Sequence, residues 1–177
     1  MKAEFINGDV ILHSPAKRNH WKVTDLLSRL ISTYAEVRSL GIVGTEKVMI
    51  ALSRNDYEPD LVFYGKEKAD KFESNQMLFP APDFIVEILS KSTYKKDKGV
   101  KKEDFAAHGI SEYWIIDPEN EIVEQYLLGD ISQTEYQTPI IHKVGDDIES
   151  IIILGFSIPV KAIFDSVVNI ETLRKII

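Results

Sequence analysis

The chain has 177 residues, of which 44% are hydrophobic and 28% are charged, and its formal net charge is −7. A chain of this length can bury its own core, so residues 1–177 are predicted to form a single domain. The absence of cysteine excludes disulfides, thiolate metal sites and cysteine nucleophiles. No segment approaches the ~18 apolar residues of a membrane span, and none reads as a signal peptide, so we expect a cytoplasmic protein with no membrane partner.

Predicted strands and helices alternate along the chain. Short apolar runs between turn residues indicate strands, and apolar residues at three- and four-residue spacing indicate helices. In chain order, the elements are strands at 4–6 and 10–13, a helix at 19–38, strands at 47–53 and 60–64, an irregular segment at 65–76, a strand at 83–90, a loop at 91–96, a helix at 97–108, strands at 112–117, 121–128, 136–142 and 151–154, and a helix at 160–176. This order is typical of an α/β (α+β) sandwich around a mixed sheet.

Two carboxylates fall within predicted strands, where a charged side chain is costly to bury. Asp60 follows Pro59 and opens an apolar strand, and Glu87 lies inside the run FIVEIL. A cation, a set of hydrogen bonds or a metal must therefore compensate them. Two carboxylates from neighbouring strands form the oxygen site that Mg²⁺ prefers, and such a site suits phosphodiester hydrolysis. A purely structural ion pair is the competing interpretation.

Several motifs in this order resemble those of the Uma2 (DUF820) family. They are EFINGDV at 4–10, PD at 59–60, APDFIVEILS at 81–90, the spaced residues Ser92, Thr93, Asp97, Lys101 and Phe105, and GISEYWIIDP at 109–118. That family is assigned to the PD-(D/E)XK restriction-endonuclease-like superfamily. The resemblance therefore implies a mixed central β-sheet flanked by helices. It also implies an endonuclease that hydrolyses phosphodiester bonds in DNA with Mg²⁺ or Mn²⁺.

The resemblance also implies roles for individual residues. Asp60 and Glu87 match the two acidic metal ligands, and both are expected to act in catalysis together with a lysine. The superfamily's usual lysine stands two residues after the second acid, where this chain has Leu89. In this family the lysine has moved to the following helix, and Lys101 matches that position. Whether its side chain reaches back to the carboxylates is a question of geometry.

Further residues receive expected roles at the same site. By analogy with the superfamily, the backbone carbonyl of Ile88 and the upstream acid Glu4 are expected to complete the metal ligands. Asp83 lies at a strand end and is interpreted as structural, with an accessory position beside the metal ligands as the alternative. His20 is interpreted as a capping or packing residue rather than a general base. Asp97 is interpreted as a helix cap, with orientation of the nearby lysine as the alternative.

Positive charge is concentrated between residues 91 and 102, which hold six lysines and one acid. A local cationic surface on an acidic protein can face an anionic partner. The lysines predicted to bind nucleic acid are Lys91, Lys95, Lys96, Lys98 and Lys102. A solvated loop and helix face is the competing interpretation of the same segment.

Two other functions fit the sequence. A binding module of the same fold could grip nucleic acid or protein without cutting, and the replacement of the in-strand lysine by Leu89 favours that interpretation. A structural scaffold could use Glu87 and Lys101 only as a buried ion pair. A homodimer is expected if the protein cuts both DNA strands.

Overall fold

The strands form a six-stranded, a five-stranded and a two-stranded sheet in the computed structural model, which describes residues 3–12, 15–130 and 132–177. The strands are β1 (Ala3–Ile6), β2 (Asp9–Leu12), β3 (Gly41–Thr45), β4 (Met49–Ala51), β5 (Asp56–Tyr57), β6 (Leu61–Gly65), β7 (Leu78–Phe79), β8 (Phe84–Ile88), β9 (Glu112–Asp117), β10 (Ile122–Leu127), β11 (Ile140–Lys143), β12 (Asp147–Glu149) and β13 (Ser157–Pro159). The helices are α1 (Arg18–Val37), α2 (Lys66–Ala69), α3 (Tyr94–Lys96), α4 (Lys102–Ala107) and α5 (Ser166–Ile176).

The six-stranded sheet has the order β11-β10-β9-β8-β6-β3 and is mixed, because β8 and β9 run parallel whereas the other neighbours are antiparallel. The five-stranded sheet has the order β2-β1-β5-β4-β7. Strands β12 and β13 form the small third sheet. The predicted α+β fold with a mixed central sheet is thereby confirmed. No helix among the described residues has the length and apolarity of a membrane span.

Strand β8 is buried on both faces, which explains its nearly continuous apolar sequence. Phe84 and Val86 pack with α1 and the C-terminal segment on one face. Ile85 packs on the other face with Phe105 of α4 and with strands of the five-stranded sheet. Glu87 has the parity of Ile85, because side chains alternate along a strand. Its carboxylate therefore lies in the interior, between the central sheet and α4.

The pairing of β6 with β8 sets the position of Asp60. The antiparallel register pairs Leu61 with Val86, so one further step brings Asp60 level with Glu87. A hydrogen bond of 2.8 Å from the backbone N–H of Ile88 to Asp60 Oδ2 fixes this arrangement. The two acids that the sequence singles out thus meet at one end of adjacent strands.

Strand β3 was not predicted, because its two glycines indicated the end of a structured region. A Cβ at Gly41 would lie 2.0 Å from the Tyr64 carbonyl oxygen, and one at Gly44 would lie 2.5 Å from a methyl carbon of Val48. These glycines therefore permit close packing within the strand, which is one of the recognised uses of glycine in sheets.

The short strands β5, β7, β12 and β13 were not predicted either, and the other differences lie at ends and turns. Residues 151–154 are not a strand, since the amides of Ile151 and Ile152 donate to the Glu112 carboxylate instead of to a neighbouring strand. The predicted terminal helix is divided into a 3₁₀ turn (Val160–Ile163) and α5, because Asp165 caps a new helix start. A helix, α2, occupies part of the segment predicted to be irregular. His13, the predicted end of the second strand, lies outside the described residues.

Candidate functional site

A buried lysine joins three acidic side chains near the end of β8. The Nζ atom of Lys101 lies 2.8 Å from Glu87 Oε1, 2.7 Å from Glu4 Oε1 and 3.4 Å from Asp97 Oδ1. The Lys101 side chain is only 1% exposed. The lysine that the sequence places on the following helix therefore does reach Glu87, and it compensates the buried charge of that residue.

This cluster keeps Lys101 in its charged form. Burial alone lowers the pKa of the ammonium group, but the charges of Glu87, Glu4 and Asp97 outweigh burial and hold the pKa well above the ordinary lysine value. Burial raises the pKa of Asp97, while the charge of Lys101 acts in the opposite direction. Lys101 therefore carries its proton at neutral pH.

The backbone between α3 and α4 directs Lys101 towards the strand. A π-type turn spans Asp97–Lys101, and Gly99 leaves helical geometry there, with φ −113° and ψ −110°. Phe105 follows one turn later and packs its ring edge-on at 5.2 Å from Tyr113 in the core. The buried aromatic ring anchors α4 to the sheet, which brings the preceding turn over the end of β8.

Asp60 directs its two oxygens to different partners. Oδ2 accepts the hydrogen bond from Ile88 N, whereas Oδ1 lies 3.2 Å from His20 Nε2 at the start of α1. One potential ligand atom each from His20, Glu46 and Asp60 lies within 4.8 Å of the other two. Glu46 was not found from the sequence, because it follows the unpredicted strand β3. A polar residue directly after a glycine-containing strand is the only signal that could have suggested it.

A cavity of about 920 Å³ opens onto these groups, and Asp60, Glu87 and Lys101 all line it. Cationic residues from three separate segments also line the cavity: Lys17, Arg18, Lys47, Lys91 and Lys96. The first three were not predicted as part of the site. The lining of the cavity therefore combines buried carboxylates with these cations, which we call its cationic walls.

The predicted nucleic-acid-binding lysines divide into two groups. Lys91 and Lys96 line the large cavity, and together with Lys95 they line a neighbouring depression of about 530 Å³. Lys98 instead forms an ion pair of 2.5 Å with a glutamate of β10, and Lys102 lies 5.7 Å from a tyrosine ring of the same strand. The five lysines are therefore close in sequence but do not all lie on one surface.

The three accessory residues have distinct surroundings. Asp83 accepts a hydrogen bond from Gly65 N and forms an ion pair of 2.7 Å with Lys68, as a structural residue would. The capping interpretation of His20 is wrong, because Lys17 holds the cap position of α1 and His20 faces Asp60. The capping interpretation of Asp97 is also wrong, because its side chain is buried within the π-type turn beside the lysine.

Three comparisons relate this chain to known proteins. The model of the Uma2 family, described as "Putative restriction endonuclease", matches residues 1–161. The uncharacterized protein sll1609 of Synechocystis sp. is 34% identical over 128 residues, which is 71% of each chain. A crystal structure of a "putative nuclease belonging to DUF820" from Anabaena variabilis has a TM-score of 0.79 at 18% identity and covers 92% of this chain and 89% of its own. That structure shares the fold, and the match over residues 1–161 shows that the chain belongs to the Uma2 family.

Proposed function

We propose that the protein is a metal-dependent endonuclease that hydrolyses phosphodiester bonds in DNA. The observation that carries this proposal is the contact of 2.8 Å between Lys101 Nζ and Glu87 Oε1, with Asp60 level on the adjacent strand. Two acids and a lysine that are separated along the chain thus converge at a cavity with cationic walls. The family description supports a nuclease of the restriction-endonuclease type.

The donor atoms at the site fit a divalent cation. Carboxylate oxygens such as those of Asp60 and Glu87 are the hard ligands that Mg²⁺ and Mn²⁺ accept. We propose the Ile88 carbonyl and Glu4 as the further ligands, with Glu4 shared between the ion and Lys101. A bound ion would supply a Lewis acid and a water of lowered pKa.

Lys101 is proposed to stabilise negative charge on the phosphoryl oxygens during the reaction. Three carboxylates within 3.4 Å of its Nζ hold the ammonium form, so the group can donate a proton or hydrogen bond but has no lone pair with which to act as a base. A preorganised cation that is itself buried is worth more than one in solvent, and the Lys101 side chain is buried. Asp97 and Glu4 would keep this cation in place.

The cationic walls are proposed to bind the phosphates on either side of the scissile bond. Residues 17 and 18 lie at the start of α1, Lys47 follows β3, Lys91 precedes α3 and Lys96 ends it, so the charges come from three segments of the chain. Phosphate contacts of this kind make affinity fall with salt, with a slope of about 0.9 per neutralised phosphate on a log–log plot for duplex DNA. We expect Lys91→Ala and Lys96→Ala to reduce this slope, and Lys98→Ala and Lys102→Ala to leave it nearly unchanged.

The decisive experiment is plasmid cleavage in Mg²⁺ and in Mn²⁺ by the wild type, by Glu87→Gln and by Asp83→Asn. Glu87→Gln keeps the size of the side chain but removes its charge, so we expect cleavage to be lost. Asp83→Asn is the matched control, since it changes a carboxylate of the same segment that pairs with Lys68. Equal cleavage by wild type and Glu87→Gln would overturn the assignment.

A catalytically degenerate binding module is the second candidate, because the Lys101 ammonium lies between the carboxylates and Leu89 replaces the in-strand lysine. This candidate predicts salt-dependent DNA binding without turnover in either metal. The same samples decide between the two, since binding is measured by fluorescence anisotropy and turnover by plasmid nicking.

A further inference from the structure

We propose that His20, Glu46 and Asp60 form a cation site that selects a transition metal such as Mn²⁺ over Mg²⁺. This deepens the proposed function, from which it takes Asp60, by giving the site a second group of ligands. One ligand atom from each of these three residues lies within 4.8 Å of the others. The residues come from the start of α1, the turn after β3 and the residue before β6.

The spacing of the His20 and Asp60 ligand atoms matches two neighbouring ligands of one cation. Bonds of about 2.0–2.2 Å to nitrogen and oxygen put neighbouring ligands roughly 3 Å apart and opposite ligands a little over 4 Å apart. The distance of 3.2 Å from His20 Nε2 to Asp60 Oδ1 matches the neighbouring arrangement. Because Oδ2 is held by the Ile88 N–H, Oδ1 is the Asp60 oxygen that turns to this group. Small movements of Glu46 would complete the ligand set.

The turn that carries Glu46 is built in a costly conformation. Glu46 has φ +65°, a left-handed value that is uncommon for residues other than glycine, asparagine and aspartate. The Lys47 N–H donates to the Thr45 carbonyl at 2.8 Å, which closes a three-residue turn of the strained kind. The Glu46 N–H donates to the Asp60 carbonyl at 3.1 Å. This hydrogen bond fastens the turn to the residue that supplies another ligand.

The chemistry of the three donors decides which metal they prefer. Mg²⁺ binds carboxylates and water and seldom accepts nitrogen, whereas the affinity of a mixed nitrogen and oxygen site for transition metals rises along the order Mn²⁺, Fe²⁺, Co²⁺, Ni²⁺ and Cu²⁺. A set of one imidazole and two carboxylates therefore favours the transition metals. All three residues line the cavity of about 920 Å³, so water or a phosphate oxygen can occupy the remaining positions.

The test is titration of the full chain with Mn²⁺ and, separately, with Mg²⁺. Calorimetry measures the binding of each metal, and pulsed EPR is recorded on the Mn²⁺ samples. We expect nitrogen hyperfine coupling on bound Mn²⁺ in the wild type and its loss in His20→Gln. We expect Glu46→Gln to weaken Mn²⁺ binding by at least about tenfold, since loss of even an outer partner costs that much. Its effect on Mg²⁺ binding should be smaller. Asp83→Asn is the control and should bind both metals as the wild type does.

A second variant separates ligand loss from misfolding. Glu46→Gly removes the carboxylate but suits the left-handed turn, so its melting temperature should equal or exceed that of the wild type while Mn²⁺ binding falls. Mn²⁺ binding without nitrogen coupling, unchanged binding in both Glu46 variants, or no Mn²⁺ binding at all would each overturn the proposal. If one of these results is accompanied by DNA cleavage in Mg²⁺, the cation-site proposal fails but the proposed nuclease function is still supported. If Mn²⁺ is coordinated by histidine but no cleavage occurs, the cation site is supported and the nuclease function is not.

Discussion

Glu87 and Glu112 are both buried glutamates of the six-stranded sheet, but their charges are compensated in different ways. Glu87 lies at the end of β8 and contacts the Lys101 ammonium at 2.8 Å. Glu112 lies at the start of β9, which runs parallel to β8, and it has the opposite parity. The two carboxylates therefore occupy opposite faces and opposite ends of neighbouring strands.

Neutral donors alone account for the described hydrogen bonds of Glu112. Its Oε1 and Oε2 atoms accept five hydrogen bonds of 2.7 to 3.2 Å, from Trp114 Nε1, Gln125 Nε2, Ser150 Oγ, Ile151 N and Ile152 N. These bonds tie the segment after β12 to the sheet. Burial raises the pKa of Glu112, and the hydrogen bonds oppose that rise.

The comparison shows that burial of a carboxylate in a strand does not by itself identify a site. Glu112 has rigid, uncharged partners inside the core, as a structural group does. Glu87 faces a cavity and shares its compensating cation with Glu4 and Asp97. A cation that serves several acids at a solvent-connected cavity can be displaced or joined by a metal ion, whereas five converging neutral donors leave no such place.

Removal of the shared cation should have the largest effect. Lys101→Met leaves three acids in the interior without their lysine, and breaking a buried ion pair from one side costs about 3–5 kcal/mol. We expect a loss of unfolding free energy of that size in urea, together with loss of cleavage. Addition of Mn²⁺ should restore part of the stability, because a divalent cation can replace the ammonium charge. A variant as stable as the wild type without metal would contradict this account.

Changing Glu112 should affect stability and leave the chemistry intact. Both carboxylate oxygens of Glu112 accept hydrogen bonds, so in Glu112→Gln the amide NH₂ group faces hydrogen-bond donors in either orientation. Each buried donor that loses its acceptor in this way costs about 1–3 kcal/mol. Chemical denaturation should therefore show a loss of about 1–3 kcal/mol. Cleavage per folded molecule should equal that of the wild type, and a selective loss of cleavage would show that the two regions are not independent.

The wild type and Glu112→Gln should also differ, by a smaller amount, in how their stability depends on pH. The pKa of Glu112 is raised in the folded state, so the folded protein binds its proton more tightly than the unfolded chain. The free energy of unfolding therefore falls as the pH rises from the ordinary glutamate pKa through the raised value. Glu112→Gln should lack this part of the slope in denaturation curves recorded from pH 4 to 8. Parallel profiles for the two proteins would exclude this contribution.

Asp83→Asn should have the smallest effect. The substitution weakens a partly exposed ion pair to Lys68 and a hydrogen bond from Gly65 N, so thermal unfolding should report a loss of about 1 kcal/mol or less. Metal binding and cleavage should remain at wild-type levels. A large change in metal binding or in cleavage would show that Asp83 belongs to the functional site.

The sequence was sufficient for the central strands and for the pair Asp60 and Glu87, because a charged residue within an apolar run, or directly before one, is conspicuous. Lys101 was identified only by resemblance, and its contact with Glu87 depends on helix packing that no local pattern contains. The same limit explains why Glu46 was missed and why Lys98 and Lys102 could not be separated from the cavity lysines. Short-range patterns predict elements, whereas contacts between distant segments arise from tertiary packing.

The separation of fourteen positions between Glu87 and Lys101 has a consequence for how this chemistry varies among related sequences. When acid and lysine share one strand, their spacing is constrained, because an insertion of one residue turns one of them to the opposite face. Here the lysine's position depends on the docking of α4, so the segment between β8 and the helix is free to change in length. A search pattern with fixed spacing passes over such a chain, and a search that pairs a strand acid with a lysine on the next helix finds it.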